Sequence, residues 1–200
     1  KVAFRAWTND FSAQRNFALE QTDADWVLYL DADERLNENV IAEVKRIVAS
    51  GVMDAQYAFT RKSGAFGKIF SYGVLYPDQV CRLFPRKAVV WVNKVHEHPE
   101  CKLPEKHLSG YVTHYTYKDW YEWEGKLCLY TTIWAEDAYK KGKRTTMAGI
   151  FQHSVGAFFK MFVLRRGFLD GGLGIYLCFA HGFYTMLKYL KLYDLQNKRK

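Results

Sequence analysis

The sequence predicts an α/β domain organised on a mostly parallel sheet and followed by a helical, basic C-terminal region. Three observations lead to this fold class. Trp26-Val27-Leu28-Tyr29-Leu30 is a continuous apolar run, the pattern of a strand covered on both faces, and it runs directly into Asp31-Ala32-Asp33-Glu34. Stretches of strand-like alternation and of helical periodicity interleave along residues 1–145. From residue 146 onward, aromatic and basic residues dominate, which sets 146–200 apart as a second region.

Composition narrows the class further. A chain of 200 residues with 49% hydrophobic and 17% aromatic content has ample material for a packed core and is not disordered. The formal net charge is +8, and residues 160–200 hold eight bases against Asp170 and Asp194, a local net of +6. Such a tail suits nucleic acid or an anionic membrane surface, and the interleaved apolar residues favour the membrane over nucleic acid. Cys81, Cys101, Cys128 and Cys178 are scattered without a Cys-x-x-Cys pair, so a disulfide scaffold or structural zinc site is not expected, and the pattern fits a reducing, cytoplasmic setting.

The elements follow in order. Lys1 to Trp7 alternates weakly and enters the fold as an edge or linking strand, and Ser12 to Glu20 reads as a short helix. The strand at Trp26 places its acids at its carboxyl end, the edge where open α/β sheets bind ligands. Two carboxylates two residues apart there suit one hard divalent cation with phosphate oxygens. A polar turn ahead of the next helix is the other reading of these acids. Asn37 is a good N-cap, Val40, Ile41, Val44, Ile47 and Val48 recur at helical spacing, and Gly51 is placed to end that helix. Ala55 to Arg61 alternates as a strand, with Tyr57 and Phe59 on one face. Gly64, Gly67 and Gly73 with intervening aromatics predict a mobile loop on an acceptor side. Gln79 to Phe84 and Ala88 to Asn93 read as strands of a hairpin turned by Pro85-Arg86-Lys87. Trp120, Trp123, Leu127, Tyr130 and Trp134 form the apolar stripe of a helix from about 118 to 140. Phe151, Val155, Phe158, Phe159 and Phe162 form a second stripe. The uncharged run from Gly171 to Leu187 spans roughly 25 Å as a helix, short of a hydrocarbon core of roughly 30 Å, so a pair of interfacial helices is expected in place of a membrane span.

Gln14-Arg15-Asn16-Phe17-Ala18-Leu19 followed by Asp25-Trp26-Val27-Leu28-Tyr29-Leu30-Asp31-Ala32-Asp33-Glu34 resembles the family-two inverting glycosyltransferases of the GT-A (Rossmann-like) fold. The nearer likeness is to their lipopolysaccharide-core glucosyltransferase-like branch. Tyr76 to Phe84, Val95-His96-Glu97, His114 to Tyr117 and Gly167 to Gly171 are similar to that branch in the same order. Members of the family normally begin with a strand carrying Thr-Tyr-Asn-Glu, which is not found before the first motif, so the resemblance implies a domain lacking its N-terminal β-α-β unit.

The resemblance implies transfer of a sugar from a nucleotide-diphosphate donor to a glycolipid or saccharide acceptor, with inversion, in lipopolysaccharide or cell-surface glycan synthesis. Asp31, Asp33 and His114 would hold a divalent cation, Mg or Mn, and Arg15, Asp31 and Arg82 would contact the donor. Glu97 would be the catalytic base, with His96 orienting it, and Lys126 would face the site. A single displacement needs no Ser or Cys nucleophile, which agrees with the lack of a recognisable triad. Structural readings stand beside these: Arg15 and Arg82 as partners of nearby carboxylates, His114 as a hydrogen-bonded core residue. The rival functions are a non-catalytic membrane-surface or interaction module and a nucleotidyltransferase. The expected location is the cytoplasmic face of the cell membrane, with residues 146–200 attached peripherally.

Overall fold

A computed structural model describes residues 2–8, 10–93 and 97–198. In chain order its elements are α1 (Phe11–Glu20), β1 (Trp26–Leu28), β2 (Glu34–Leu36), α2 (Glu38–Ser50), β3 (Gln56–Ala65), β4 (Lys68–Ile69), β5 (Asp78–Pro85), β6 (Val90–Val92), β7 (His98–Glu100), β8 (Glu105–Tyr117), α3 (Trp120–Lys140), α4 (Met147–Phe159) and α5 (Gly171–Lys198). The chain divides into two compact units, Lys1–Arg61 with Asp78–His114, and Lys62–Pro77 with Tyr115–Lys200. Strands β3 and β8 each contribute residues to both.

The first unit is built around a sheet of order β1-β5-β3-β8-β2. The Asp10 carboxylate accepts from Ala13 N and so starts α1. Asn37 does the same for α2 through Val40 N at 3.0 Å, and Gly51, at φ 69°, closes that helix in the left-handed region. Val40, the fully buried residue of α2, packs with Phe59 of β3 and Val112 of β8 to form this unit's core, with Leu28, Leu36, Val44 and Val80 around it. A second small sheet pairs β6 with β7.

The sheet is not mostly parallel. The pairs β1/β5, β2/β8, β3/β4 and β3/β5 are all antiparallel. Strands β3 and β8 do run in the same direction, since Gln56 N bonds Pro104 O near one end and Phe66 N bonds Tyr117 O near the other. Parallel neighbours need a long crossover connection, and here the stretch between β3 and β8, which carries β4 to β7, provides it. Strand β1 is likewise not covered on both faces. It ends the strand order, and Trp26, Val27 and Leu28 are all partly exposed. The apolar run signals hydrophobic cover on its flank, where a groove of about 280 Å³ is lined by Trp26, Leu28, Val44, Val48 and Met53.

Two further local expectations are corrected. Pro85 to Lys87 does not turn a hairpin, because a 3-10 turn over Arg86–Ala88 carries the chain out of the main sheet into the β6/β7 pair. The glycine-rich stretch is regular: β3 continues to Ala65, Phe66 and Gly67 turn at positive φ, and β4 pairs back.

The second unit is mainly helical. Helix α5 lies against α3 and α4, and Ala135, Ala138, Ile150, Tyr189 and Leu192 form one core. Phe70, Leu75, Ala65 and Leu177 form another. The expected α3 stripe is rotated. Its buried line is Leu127, Thr131, Ala135 and Ala138, whose small members allow close helix approach, while Trp120 and Tyr130 are largely exposed. The Gly171 to Leu187 run is the first part of the single long α5, with Gly174, Leu177, Cys178 and Gly182 buried. Asp170, also buried, anchors this corner by accepting from Ser71 N at 3.1 Å and Tyr72 N at 2.7 Å.

Gly110 of β8 lies under α2, where an added Cβ would stand 2.4 Å from Val40 Cγ2 and 2.8 Å from Val40 N. Gly125 in the middle of α3 has nothing within 4 Å of that position. In chemical denaturation Gly110→Ala is expected to lose about 1–3 kcal/mol or more to overpacking, whereas Gly125→Ala gains up to about 1 kcal/mol of helix stability. Equal responses would place neither glycine where the packing puts it.

Candidate functional site

Strand register builds the site. Trp26, Val27 and Leu28 pair with Pro85, Phe84 and Leu83, and Tyr29 N continues the ladder to Arg82 O at 2.9 Å. On the other side of β5, Tyr57 pairs with Leu83 but Ala58 pairs with Cys81, so Arg82 is the extra residue of a β-bulge. A bulge re-aims the side chain it carries. Arg82 Nη2 donates to Asp31 Oδ2 at 2.9 Å and to Glu34 Oε1 at 3.0 Å.

The acidic cluster is a closed turn. Glu34 N donates to Asp31 O at 3.0 Å while Glu34 Oε2 accepts from Asp31 N at 3.1 Å, and Arg35 Nη1 clamps the Ala32 and Glu34 carbonyls. This polar turn leads into β2, and Asn37, not the acids, caps the next helix. The β2/β8 register then sets Glu34 opposite His114. His114 Nε2 consequently lies 3.2 Å from Asp33 Oδ2.

Helix α1 brings two further arginine-carboxylate contacts. Arg15 Nη2 donates to Asp31 Oδ1 at 3.1 Å and Arg15 Nε to Glu97 Oε1 at 3.3 Å, while the guanidinium covers the Trp91 ring at 4.5 Å. The next residue, Asn16, holds Trp91 in place by bonding both its backbone N and O, at 2.9 and 2.8 Å. Arg61 completes the cluster, 3.6 Å from Glu34 and 2.7 Å from Asp78. Arg15, Asp31, Arg61, Arg82, Trp91 and Glu97 line an open pocket of about 400 Å³.

The electrostatics follow from burial. Glu34 is 1% exposed, so its charge is sustained by the two guanidiniums beside it. Burial acts to raise the Asp31 carboxyl, but the charges of Arg82 and Arg15 outweigh it, and Asp31 titrates below its ordinary value of 3.8. Arg82 Nε is buried without a hydrogen-bond partner among the described residues. Burial pushes the Cys81 thiol, also on the pocket wall, up to about 12, which makes it a neutral packing group.

The structure thus brings Arg15, Asp31, Arg82 and Glu97 together, and sets Asp33 with His114 beside them. Asp31 and Asp33 face different partners, and no group of three His, Cys, Asp or Glu side chains poised for a metal occurs among the described residues. Mg-type ions rarely use an all-protein cage and commonly sit on one or two carboxylates plus substrate phosphates. The adjacent Asp33 and His114 therefore fit part of a coordination shell. Lys126 is occupied by Glu122 at 2.7 Å, by Thr116 O at 3.0 Å and by the Tyr117 ring. His96 lies outside the described residues.

Sequence reasoning missed Arg61, Glu34 and Trp91 as site members. Arg61 was within reach of it, since it continues the Tyr57, Phe59 face at the same period of two. Trp91 carried no signal, because its role depends on contacts with α1, some 75 residues earlier in the sequence.

No family model matches the chain. It is similar over nearly its whole length to proteins named as uncharacterized glycosyltransferases. The relative from Rickettsia typhi is 24% identical, with 99% of this chain and 72% of the relative covered. The one from Rickettsia prowazekii is 25% identical over the same shares, and the one from Rickettsia bellii is 26% identical, with 98% and 70% covered. This similarity supports glycosyl transfer as the general activity, and with it an enzyme that takes a sugar donor and an acceptor.

Two stability effects follow from the charge cluster. Arg82→Met leaves the buried Glu34 with the longer Arg61 contact as its one ion pair and should cost about 3 kcal/mol, more than Asp31→Asn. Because folding depresses the Asp31 pKa, its contribution is present above the ordinary carboxylate value and is lost as pH falls below it. The stability advantage of wild type over Asp31→Asn should therefore shrink as urea titrations are taken to more acid pH; parallel curves would remove Asp31 from the linkage.

Proposed function

We propose that the protein is an inverting glycosyltransferase with a GT-A-type catalytic domain, moving a sugar from a nucleotide-diphosphate donor to a glycolipid or saccharide acceptor in lipopolysaccharide or cell-surface glycan synthesis. The observation that carries this reading is the convergence of Arg15, Asp31, Arg82 and Glu97 in one open pocket at the end of β1. Three guanidiniums in a pocket of this size suit a diphosphate, for which planar forked donors are the natural partners. The near full-length similarity to proteins named as glycosyltransferases supports the same chemistry.

In this mechanism the acceptor hydroxyl attacks the anomeric carbon while Glu97 takes its proton. The bond from that carbon to the phosphate oxygen breaks, and the nucleoside diphosphate leaves with the electron pair. Asp33 and His114, with Asp31 two residues away, would hold the divalent ion, Mg or Mn. When bound, that ion offsets charge on the leaving diphosphate. Asp31 aims Arg15 and Arg82 into the pocket, where their guanidiniums would meet phosphate oxygens. Arg15 bridges Asp31 and Glu97, so a diphosphate that draws Arg15 toward itself also releases the base.

A base and a ligand fail differently, which gives the test. Glu97→Gln should bind donor normally yet transfer about 10² to 10⁴ times more slowly to extracted glycolipid acceptors. Asp33→Asn should instead lose the manganese dependence of nucleotide-sugar binding, read by calorimetry. Near-full transfer by Glu97→Gln would exclude it as the base, and donor affinity indifferent to manganese in wild type would exclude the metal.

A further inference from the structure

The outer side of the helical unit is apolar where a water-facing helix should be polar. Phe151 is 70% exposed and Leu164 77%, and only 6% of the 18-residue stretch Met147–Leu164 is buried. The rings of this face are linked. Phe159 packs on Phe158 at 5.4 Å, Phe158 on Phe162 at 5.3 Å and on Phe179 of α5 at 4.6 Å, and Phe162 on Phe168 at 5.4 Å. Tyr176, Phe179 and Phe183 extend the patch along α5 at spacings of three and four, and all three are about half exposed or more. A contiguous apolar face of this kind on a folded protein marks an interaction site.

Charge identifies its partner. Between Ala138 and Tyr193 the sequence holds nine bases (Lys140, Lys141, Lys143, Arg144, Lys160, Arg165, Arg166, Lys188, Lys191) and one acid, Asp170. That single acid is buried under the Ser71 and Tyr72 amides. Lys160 and Arg166 are exposed at the edge of the aromatic patch and form no ion pair among the described residues. A second copy of a chain carrying +8 would meet this face with like charge. An anionic lipid surface offers what the face lacks, acyl carbon for the rings and phosphate for the bases.

We propose that the outer face of α4, the π-helical turn Lys160–Leu164 after it and the corner at Phe168–Leu169 form a peripheral docking surface for an anionic bilayer. The surface lies in the interface and does not cross it. At about 1.5 Å per residue, Met147–Leu164 reaches only about 27 Å, with Lys160 inside it. Ile150 ties α4 into the core with Ala138 and Leu192, which a spanning helix would have to abandon. The π-turn and the left-handed Arg166, at φ 52°, bend the chain back so that Val163 and Leu164 project at the turn. This surface belongs to α4 and its corner and does not depend on the transfer chemistry, so the two can fail separately.

The test is co-sedimentation of the full 200-residue chain with vesicles of phosphatidylcholine alone and of phosphatidylcholine with phosphatidylglycerol. Binding is expected to the anionic vesicles, weakened but not abolished by salt and fully reversed by alkaline carbonate. Lys160→Gln with Arg166→Gln should lower the partition coefficient at low salt by about tenfold. Phe151→Ser with Leu164→Ser should remove the salt-resistant remainder, with circular dichroism confirming the fold, and Lys45→Gln on α2 should change nothing. Wild type left in the supernatant, binding indifferent to both double variants, or resistance to carbonate would each overturn the proposal. So would a dimer in light scattering that Phe151→Ser with Leu164→Ser dissolves, which would assign the face to a second copy.

Discussion

The ion pair between Arg82 and the buried Glu34 is the constraint on which the first unit depends. Taking a carboxylate to 1% exposure costs several kcal/mol unless its oxygens are satisfied, so Glu34 is accommodated there only because Arg82 and Arg61 reach it and Asp31 N donates to it. Each of those contacts has a structural price elsewhere. Arg82 can turn toward Glu34 because it is the residue that β5 inserts between its pairings with β3. Glu34 can reach back because residues 31–34 close into a turn. That turn fixes where β2 starts, and the start of β2 fixes which residue of β8 faces Asp33. One buried charge thus sets a bulge, a turn and a strand register, and these are the three features that bring the candidate site together.

Much of this was legible in the sequence, and what was not has a physical reason. Helices α1 and α2 were legible because capping and termination are local: Asn37 and Gly51 sit one residue outside α2. The candidate residues Arg15, Asp31, Arg82 and Glu97 and the pair Asp33 and His114 were singled out from strand ends and from resemblance to transferase motifs, and the structure brings the first four into one pocket and joins the last two. Of the two readings of Arg82, the structure shows the salt bridge, its Nη2 pairing with Asp31 and Glu34. Strand direction was not legible. The run Trp26 to Leu30 has the composition of a doubly covered parallel strand, yet β1 pairs antiparallel to β5 alone, because apolarity reports burial of side chains and is silent on the partner strand. The hairpin expected at Pro85 failed for a related reason: proline and bases mark a turn but do not say whether the chain returns to the same sheet.

The second unit repeats the logic of the first with a different cast. Asp170 is buried, and its carboxylate is satisfied by two backbone amides instead of arginines. Around it Gly73, Gly167 and Gly174 allow backbones to meet at distances no side chain would permit, with a Cβ on Gly174 falling 2.2 Å from Gly167 O. Sequence inspection placed the first of these glycines in a mobile loop. Their structural use is the reverse, a tight corner locked by one acid, and the difference lies in long-range contacts between Ser71 and Asp170 that periodicity does not encode.

The charge economy of the site also shapes what a ligand must do there. Arg15, Arg61 and Arg82 are opposed by Asp31, Glu34, Asp78 and Glu97, so the pocket is not a field of free positive charge. A diphosphate would bind by exchanging partners, replacing carboxylates that are partly exposed and leaving the Arg82–Glu34 contact intact. Such an exchange disfavours small singly charged anions, which would return less than the ion pairs they displace. It favours a ligand with several phosphate oxygens and a divalent ion to compensate the carboxylates set free. Pairing each guanidinium in advance also fixes its direction, so the cost of ordering long arginine side chains falls on folding and not on binding. On the proposed reading, the same contacts that stabilise the resting site would make it selective.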